Sequence, residues 1–252
     1  MKVKVAAAQM DCSKNEQENL QKALKLIQQA SSKGAKIVCL PELFNTGYYP
    51  LEIMKTDGAH TRTKQILAKT AKSLNIYIIA GMPEKSGNTK YNSAFLFEPS
   101  GKLLGAYRKN KLFPGVPIPE SECFRPGTTV KAFDTSLCRI GIFICYDLRF
   151  PQIARKLALQ GAEVMFVPAA WPKPRISHWI TLLKARAIED QCYIVGANRC
   201  GKDDSVEMGG CSLICDPNGN ELATLNENEE GVIVAEVDLE KVKKFREKLP
   251  VF

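Results

Sequence analysis

Three apolar runs of this chain are each followed by a polar side chain of a type that is common in catalytic sites. Residues 142–150 read IFICYDLRF, so that apolar residues lead into Cys145. Residues 37–42 read IVCLPE and end in Glu42, and Lys109 follows another strand-like run. In open α/β sheets, ligands bind at the edge where the strands end. Cys145 is therefore the first candidate for a nucleophile.

The combination of a thiol, a carboxylate and a lysine suits acyl transfer. The thiolate is the form of cysteine that attacks, and an unperturbed thiol with a pKa of about 8.5 is mostly protonated at neutral pH. Glu42 could take the proton of Cys145 as a general base. Lys109 could stabilise the oxyanion of the tetrahedral intermediate. This chemistry requires no metal and no cofactor.

The composition predicts an ordinary globular chain. Its 252 residues, 45% hydrophobic and 25% charged, suit one large α/β domain or two small ones. We expect a single domain over 1–252, because no linker-like segment divides the chain. No apolar run approaches the ~20 residues of a membrane span. The net charge is +8, but the lysines are scattered rather than clustered with aromatic residues, which argues against nucleic-acid binding.

The cysteine and histidine counts limit the other classes of site. There are nine cysteines, an odd number, and no Cys-x-x-Cys pair. This pattern favours free thiols in a reducing compartment, so we expect a cytoplasmic protein. Two histidines are too few for a three-histidine zinc site. Cys211 and Cys215 could be imagined as metal ligands, but their segment reads as a strand, and core packing is the better interpretation.

The order of the predicted elements is that of an α/β protein. The predicted strands are 2–9, 36–40, 76–81, 91–97, 103–107, 130–133, 139–144, 164–167, 193–197, 210–215, 222–224 and 231–237. The predicted helices are 15–33, 61–74, 150–160, 176–190 and 239–248. Each half reads β-α-β-α-β followed by a hairpin, which predicts a pseudo-two-fold pair of sheets with helices outside. The long Pro- and Gly-rich segment 110–128 is predicted to be a functional loop.

Taken in this order, the motifs resemble those of the nitrilase superfamily of carbon–nitrogen hydrolases, over nearly the whole chain. The family's Glu-Lys-Cys triad falls on Glu42, Lys109 and Cys145. A second family glutamate precedes a Pro-Gly and falls on Glu120, with Glu122 as a close alternative. The resemblance implies a four-layer α-β-β-α sandwich with two central sheets. It also implies a homodimer or a larger homo-oligomer.

One branch of the family is the most similar. The CYDLRF motif, the segment 168–179 and the segment 184–191 resemble the ω-amidase and Nit-like branch. The resemblance implies an amide hydrolase that forms a thioester acyl-enzyme and releases ammonia from the terminal amide of a short acid such as 2-oxoglutaramate. Other superfamily activities remain alternatives: a nitrilase, an N-carbamoyl amine hydrolase or a deamidated glutathione amidase. Two further alternatives are a non-enzymatic binding protein on this scaffold and a thiol redox protein.

Several residues are candidates for substrate binding. Arg149 could bind a substrate carboxylate, since a guanidinium binds carboxylates in a fork, or it could pair with a structural acid such as Asp147. The remaining candidates are aromatic residues of the expected pocket: Phe44, Tyr48, Tyr146 and Trp171. Tyr146 and Asp147 are also expected to shape the turn after Cys145. Lys111 is an alternative to Lys109 as the catalytic lysine. Many relatives carry histidine at the position of Lys111, which favours Lys109. Asn92 and Asn198 match the family pattern without a role that the sequence predicts.

Overall fold

The computed structural model describes residues 1–55, 58–115, 119–203 and 206–252, in which twelve strands and six α-helices are found. In chain order the strands are β1 (Lys2–Gln9), β2 (Ile37–Cys39), β3 (Tyr77–Ser86), β4 (Thr89–Phe97), β5 (Leu103–Arg108), β6 (Phe133–Asp134), β7 (Arg139–Ile142), β8 (Val164–Ala169), β9 (Tyr193–Asn198), β10 (Leu213–Cys215), β11 (Glu221–Thr224) and β12 (Gly231–Asp238). The helices are α1 (Glu16–Ser32), α2 (Pro50–Lys55), α3 (Thr61–Leu74), α4 (Pro151–Leu159), α5 (Ile176–Glu189) and α6 (Leu239–Lys248). Within the described ranges, no helix has both the length and the apolar character that crossing a membrane requires.

The strands form two six-stranded sheets with the same internal plan. The first sheet has the order β12-β1-β2-β3-β4-β5, and the second has the order β6-β7-β8-β9-β10-β11. In each sheet three neighbouring strands are parallel, namely β1–β3 and β7–β9. One antiparallel strand lies on one side of each trio and two lie on the other. The predicted pseudo-two-fold relation between the halves is therefore present in the strand order.

Alternating side chains build the layers of the sandwich. Val5 of β1 lies in the core between the sheets together with Ile142 of β7. The next residue, Ala6, points to the opposite face of its sheet, where it packs in a second cluster with Ile27 of α1. On the far side, Leu157 of α4 covers β7. The order helix, sheet, sheet, helix confirms the predicted four-layer sandwich.

The helix boundaries follow local signals. The side chain of Asn15 accepts hydrogen bonds from the first free N–H groups of α1, which begins at the next residue. Gly34 ends the helical segment with a φ of +85°. The predicted helix over 15–33 is thus confirmed to within one residue at each end.

Four strands differ clearly from the predicted ones, and the first is β6, which spans Phe133–Asp134 instead of 130–133. β3 and β4 form a long hairpin that runs to Ser86 and Thr89, beyond the predicted end of the first strand at Gly81. The outer part of the hairpin contains polar residues and Pro83, so it lacks the apolar pattern that predicts a strand. The strand before Cys145 ends at Ile142, because the backbone then turns into a short 3₁₀ helix. β10 begins only at Leu213, because the two residues at 210 and 211 both have positive φ.

Candidate active site

Glu42 lies in the loop after β2, and its position depends on a close approach between two backbones. A Cβ at Gly81 of β3 would come within 2.6 Å of the carbonyl oxygen of Pro41 and 2.7 Å of the Cα of Glu42. Only glycine fits there. The next residue, Leu43, has a φ of +50°, so the chain turns sharply and directs the fully buried Glu42 side chain into the interior.

Lys109 lies one residue beyond β5, between two carboxylates. Its Nζ is 2.7 Å from Oε1 of Glu42 and 2.8 Å from Oε2 of Glu120. All three side chains are buried. Burial disfavours the charge of Lys109, but Glu120 and Glu42 outweigh it and hold the pKa of the lysine well above its usual value. Lys109 is therefore a fixed positive charge in this site.

Glu120, rather than Glu122, is the second glutamate of this cluster. Glu120 begins a short 3₁₀ helix in the loop that was predicted to be functional. Its Oε2 accepts a hydrogen bond from the backbone N–H of Phe113 at 2.6 Å. Burial raises the pKa of Glu120; Lys109 opposes this effect and the negative charge of Glu42 adds to it. Glu122 is exposed. Lys111 is exposed as well, and its Nζ lies over the ring of Phe150.

Asn92 connects the two glutamates, a role that the sequence did not predict. Its Nδ2 donates to Oε1 of Glu42 at 2.7 Å and to Oε1 of Glu120 at 2.9 Å. It lies on β4 opposite Pro83, in the part of β3 beyond Gly81 that the pattern of apolar residues does not show. The backbone N–H of Ala170, after β8, fixes the other oxygen of Glu42 at 2.9 Å.

Cys145 lies at a strained turn rather than at the end of a strand. It begins the 3₁₀ helix Cys145–Arg149 with a φ of +47°, which is uncommon for a residue with a side chain. Its thiol lies close enough to the Glu42 carboxylate for the two groups to interact. Burial, followed by the negative charge of Glu42, raises the pKa of the Cys145 thiol well above its usual value. The resting nucleophile is therefore a thiol next to a carboxylate that can accept its proton.

Asp147 shapes the turn, as predicted, and it does not pair with Arg149. The Asp147 carboxylate accepts hydrogen bonds from the Tyr107 hydroxyl and from the backbone N–H groups of Ile144 and Lys111. Arg149 instead stacks on Trp171, with 4.6 Å from its guanidinium carbon to the ring centroid. Its two terminal nitrogens also lie 3.4 Å from Nδ1 of His178. The described contacts of Arg149 thus do not include Asp147, and its role in binding a substrate carboxylate stays a prediction.

A cavity of about 500 Å³ opens above these groups. Cys145 and Lys109 belong to its lining, as do four of the five residues that were predicted to bind substrate: Arg149, Tyr146, Tyr48 and Trp171. Phe44 is the exception. Its ring is fully buried in the cluster between the first sheet and its helices, because the turn after Glu42 directs it away from the cavity. The expectation for Phe44 is therefore wrong.

Two polar side chains are important for the cavity wall, Asn198 and Tyr48. Asn198, whose role the sequence did not predict, holds the backbone of Trp171, since its Oδ1 accepts a hydrogen bond from the Trp171 N–H at 2.7 Å. The hydroxyl of Tyr48 is buried and has no hydrogen-bond partner among the described atoms. Burial raises its pKa well above the usual value, with the negative charges of Glu120 and Glu42 adding to the effect. Tyr48 is thus a hydrogen-bond donor that a substrate could use.

Among the described residues, no group of three or more histidine, cysteine, aspartate or glutamate side chains is arranged to hold a metal ion. The oxygens of Glu42 and Glu120 are occupied by Lys109, Asn92 and backbone N–H groups. The cluster is therefore built around an internal cation.

Comparison with known proteins adds to this geometry. The sequence model of the carbon–nitrogen hydrolase family matches residues 4–247. The chain is 37% identical to 2-oxoglutaramate amidase of Bacillus subtilis (strain 168), over 100% of this chain and 97% of that protein. It is 35% identical to the human omega-amidase NIT2, over 99% of this chain and 93% of that protein.

A similar fold is found among solved structures. Nit3 of Saccharomyces cerevisiae, a member of branch 10 of the nitrilase superfamily, superimposes with a TM-score of 0.91 and is 31% identical in sequence. The match covers 99% of this chain and 95% of Nit3.

Proposed function

Since the chain belongs to the carbon–nitrogen hydrolase family, we propose that it is an ω-amidase, which releases ammonia from the terminal amide of a short carboxylic acid such as 2-oxoglutaramate. The observation that carries this proposal is the buried cluster of Glu42, Lys109 and Glu120 next to the Cys145 thiol at the cavity. The similarity to a 2-oxoglutaramate amidase and to an omega-amidase supports the substrate class.

The first half of the reaction is acylation of Cys145. Glu42 takes the thiol proton as Sγ bonds to the amide carbon, and the carbonyl electron pair moves onto oxygen. Lys109 and the backbone N–H that follows Cys145 stabilise this oxyanion. When the intermediate collapses, the carbon–nitrogen bond breaks. Glu42 gives its proton to the nitrogen, so that ammonia leaves and a thioester remains.

The second half is hydrolysis of the thioester. Glu42 takes a proton from water as the water oxygen bonds to the acyl carbon. The carbon–sulfur bond then breaks, the acid leaves, and the proton returns to the thiolate. Glu120 and Asn92 act by holding the cluster in place. Glu120 accepts a hydrogen bond from Lys109, and Asn92 donates to both Glu42 and Glu120. This sequence of steps uses only groups of the chain itself.

We expect Glu42→Gln to lower kcat by about 10²- to 10⁴-fold, which is the usual contribution of a general acid–base group. Glutamine keeps the shape and can still accept from Lys109, but it cannot take the thiol proton. Steady-state ammonia release measures the effect. The control is Glu122→Gln, which changes an exposed glutamate of the same loop as Glu120 and should leave kcat unchanged. A Glu42→Gln enzyme within a few-fold of the wild type would contradict the assigned role.

The cavity also offers a carboxylate anchor. Within the described ranges Arg149 forms no ion pair with an acidic side chain; its contacts are Trp171 and His178. Its guanidinium lies at the same cavity as Cys145. We propose that Arg149 binds the carboxylate of the substrate and that Tyr48, Tyr146 and Trp171 form the wall around the carbon chain. The net charge of +8 also favours an anionic substrate.

Arg149→Met should raise KM for 2-oxoglutaramate by about 10- to 100-fold, as expected for the loss of a hydrogen bond between charged groups. The effect on kcat should be smaller. An uncharged amide of the same chain length provides the control, because its KM should not depend on Arg149. An unchanged KM for the anionic substrate in the variant would exclude this residue as the anchor.

A substrate panel tests the proposed function as a whole. Ammonia release from 2-oxoglutaramate and 2-oxosuccinamate would be compared with the turnover of a nitrile, an N-carbamoyl amine and deamidated glutathione. We expect the two 2-oxo amides to have the highest kcat/KM. A higher value for one of the other three compounds would replace the ω-amidase assignment with that activity.

We further propose that residues 1–252 form one domain, because side chains of both sheets share one core. The expected homodimer or larger homo-oligomer is supported by exposed apolar side chains on the outer helix α5 and near the C-terminus, namely Ile188, Leu249, Val251 and Phe252. The nine cysteines carry free thiols, which suits the proposed cytoplasmic location.

A further inference from the structure

Resting on the proposed function, we propose that Asp147 is a positioning residue of this reaction: its carboxylate joins the turn that carries Cys145 to the segment that carries Lys109. The nucleophile and the cation come from different sheets, since β7 precedes the turn and β5 precedes Lys109. Their relative position therefore depends on contacts between the two segments.

Asp147 accepts three hydrogen bonds, two from the segment that carries Lys109 and one from the turn that carries Cys145. Its Oδ2 accepts from the Tyr107 hydroxyl at 2.8 Å and from the Ile144 N–H at 3.0 Å. Its Oδ1 accepts from the Lys111 N–H at 2.8 Å. Tyr107 and Lys111 are each two residues from Lys109, and Ile144 immediately precedes Cys145. One fully buried carboxylate thus fixes the backbone on both sides of the active site.

The need for a carboxylate follows from the count of donors. Three donors meet two oxygens, and an ionised carboxylate accepts at both oxygens, whereas an amide accepts at only one. A buried N–H without a partner is costly, so an amide at this position would move at least one of the two segments. The positive φ of Cys145 makes its turn dependent on such support.

The same contacts make the position of the turn sensitive to pH. Burial raises the pKa of Asp147 to about 6, although the hydrogen bonds from Ile144, Tyr107 and Lys111 and the charge of Lys109 all favour the ionised form. Tyr107 and Lys109 face the carboxylate from β5 and its continuation, while the Lys111 ammonium lies over the Phe150 ring instead. When the pH falls through about 6, a proton occupies one oxygen and displaces an N–H or O–H donor.

Protonation of Asp147 should lower activity, but it should not destabilise the folded protein. The pKa of Asp147 in the folded protein, about 6, lies above the ordinary value of 3.8. Between these two pH values the folded state binds the proton more tightly than the unfolded state, so protonation of Asp147 favours folding. We therefore expect activity to be lost below about pH 6, while protonation of Asp147 does not lower the stability of the folded protein.

The test combines kinetics, pH profiles and a matched control. Asp147→Asn should lower kcat by about 10- to 100-fold, the scale of a small displacement of reacting groups, with little change in KM. It should also remove the inflection near pH 6 from kcat/KM. Tyr107→Phe removes one donor to the ionised form and should move that inflection to higher pH. The control is Asp190→Asn, another buried aspartate whose pKa is raised to about 6, which pairs with Arg155 outside the cavity. It should leave the pH profile unchanged.

The rate at which iodoacetamide labels Cys145 gives a second measurement that does not depend on turnover. We expect the same inflection near pH 6 in the wild type and its absence in Asp147→Asn. If the wild type releases no ammonia from any amide, the proposed function fails, and the labelling profile still decides the role of Asp147. An unchanged kcat in Asp147→Asn, or an inflection that stays at the same pH in both variants, would overturn the proposal for Asp147.

Discussion

Cys145→Ala should abolish ammonia release from 2-oxoglutaramate while the protein stays folded. Loss of a catalytic nucleophile costs about 10⁶-fold in kcat, which takes the rate below the detection limit of an ammonia assay. The thiol contacts the Glu42 carboxylate in a buried site, so its removal leaves no unpaired polar donor behind. We therefore expect the melting temperature of the variant to be equal to or above that of the wild type.

The control for this variant is a second buried cysteine. Cys215→Ala changes a fully buried thiol on β10, outside the described lining of the cavity, and should retain the wild-type kcat. The comparison of these two variants also distinguishes an amidase from a thiol redox protein. In a redox protein, the oxidation of cysteines other than Cys145 would control activity. Substantial ammonia release by the Cys145→Ala variant would exclude the thioester mechanism.

Lys109→Met should have the second large effect, on both activity and stability. Methionine fills a similar volume, but it leaves the carboxylates of Glu42 and Glu120 facing each other without the cation that lies within 2.8 Å of both. Removal of one partner from a buried ion pair costs about 3–5 kcal/mol. Loss of the charge that stabilises the oxyanion should lower kcat by at least about 10²-fold. Thermal unfolding and ammonia release measure the two effects.

The loss of stability in Lys109→Met should depend on pH. Burial already raises the pKa of Glu120, and without Lys109 it would rise further. A carboxyl group whose folded-state pKa is raised costs stability as the pH rises above its unfolded value. The deficit of Lys109→Met should therefore be larger at pH 8 than at pH 5. The double variant Lys109→Met/Glu120→Gln should recover part of the stability but not the activity.

An exposed ion pair provides the comparison for the buried one. Lys55→Met breaks a surface contact with Glu52 at 3.1 Å and should change the free energy of unfolding by less than about 1 kcal/mol. If Lys109→Met were no more destabilising than Lys55→Met, Glu42, Lys109 and Glu120 would not form the buried charged cluster described above.

The sequence predicts the main polar groups of the site because each follows an apolar run that forms a core strand. Glu42, Lys109 and Cys145 are found by this rule, and the fold brings them together because the two sheets pack face to face. Glu120 could be found only through the family resemblance, since no strand precedes it. The choice between Glu120 and Glu122 needs the structure, which buries one and exposes the other.

The supporting residues are harder to predict because their contacts are distant in the chain. Asn92 joins Glu42 and Glu120 across 50 and 28 residues, and nothing in its local sequence indicates either partner. Phe44 is predicted to line the pocket as one of its aromatic residues, but the chain turns at Leu43, whose φ is positive, and Phe44 packs in the core. Likewise, no local pattern predicts that β12 pairs with β1, from Lys2 opposite Asp238 to Gln9 opposite Gly231.

Mass spectrometry of the enzyme quenched in acid during turnover of 2-oxoglutaramate tests the thioester mechanism directly. We expect a covalent adduct whose mass is that of the substrate less ammonia, mapped to the peptide that contains Cys145 and absent from Cys145→Ala. An unmodified Cys145 during steady turnover, or an adduct on another residue, would contradict it.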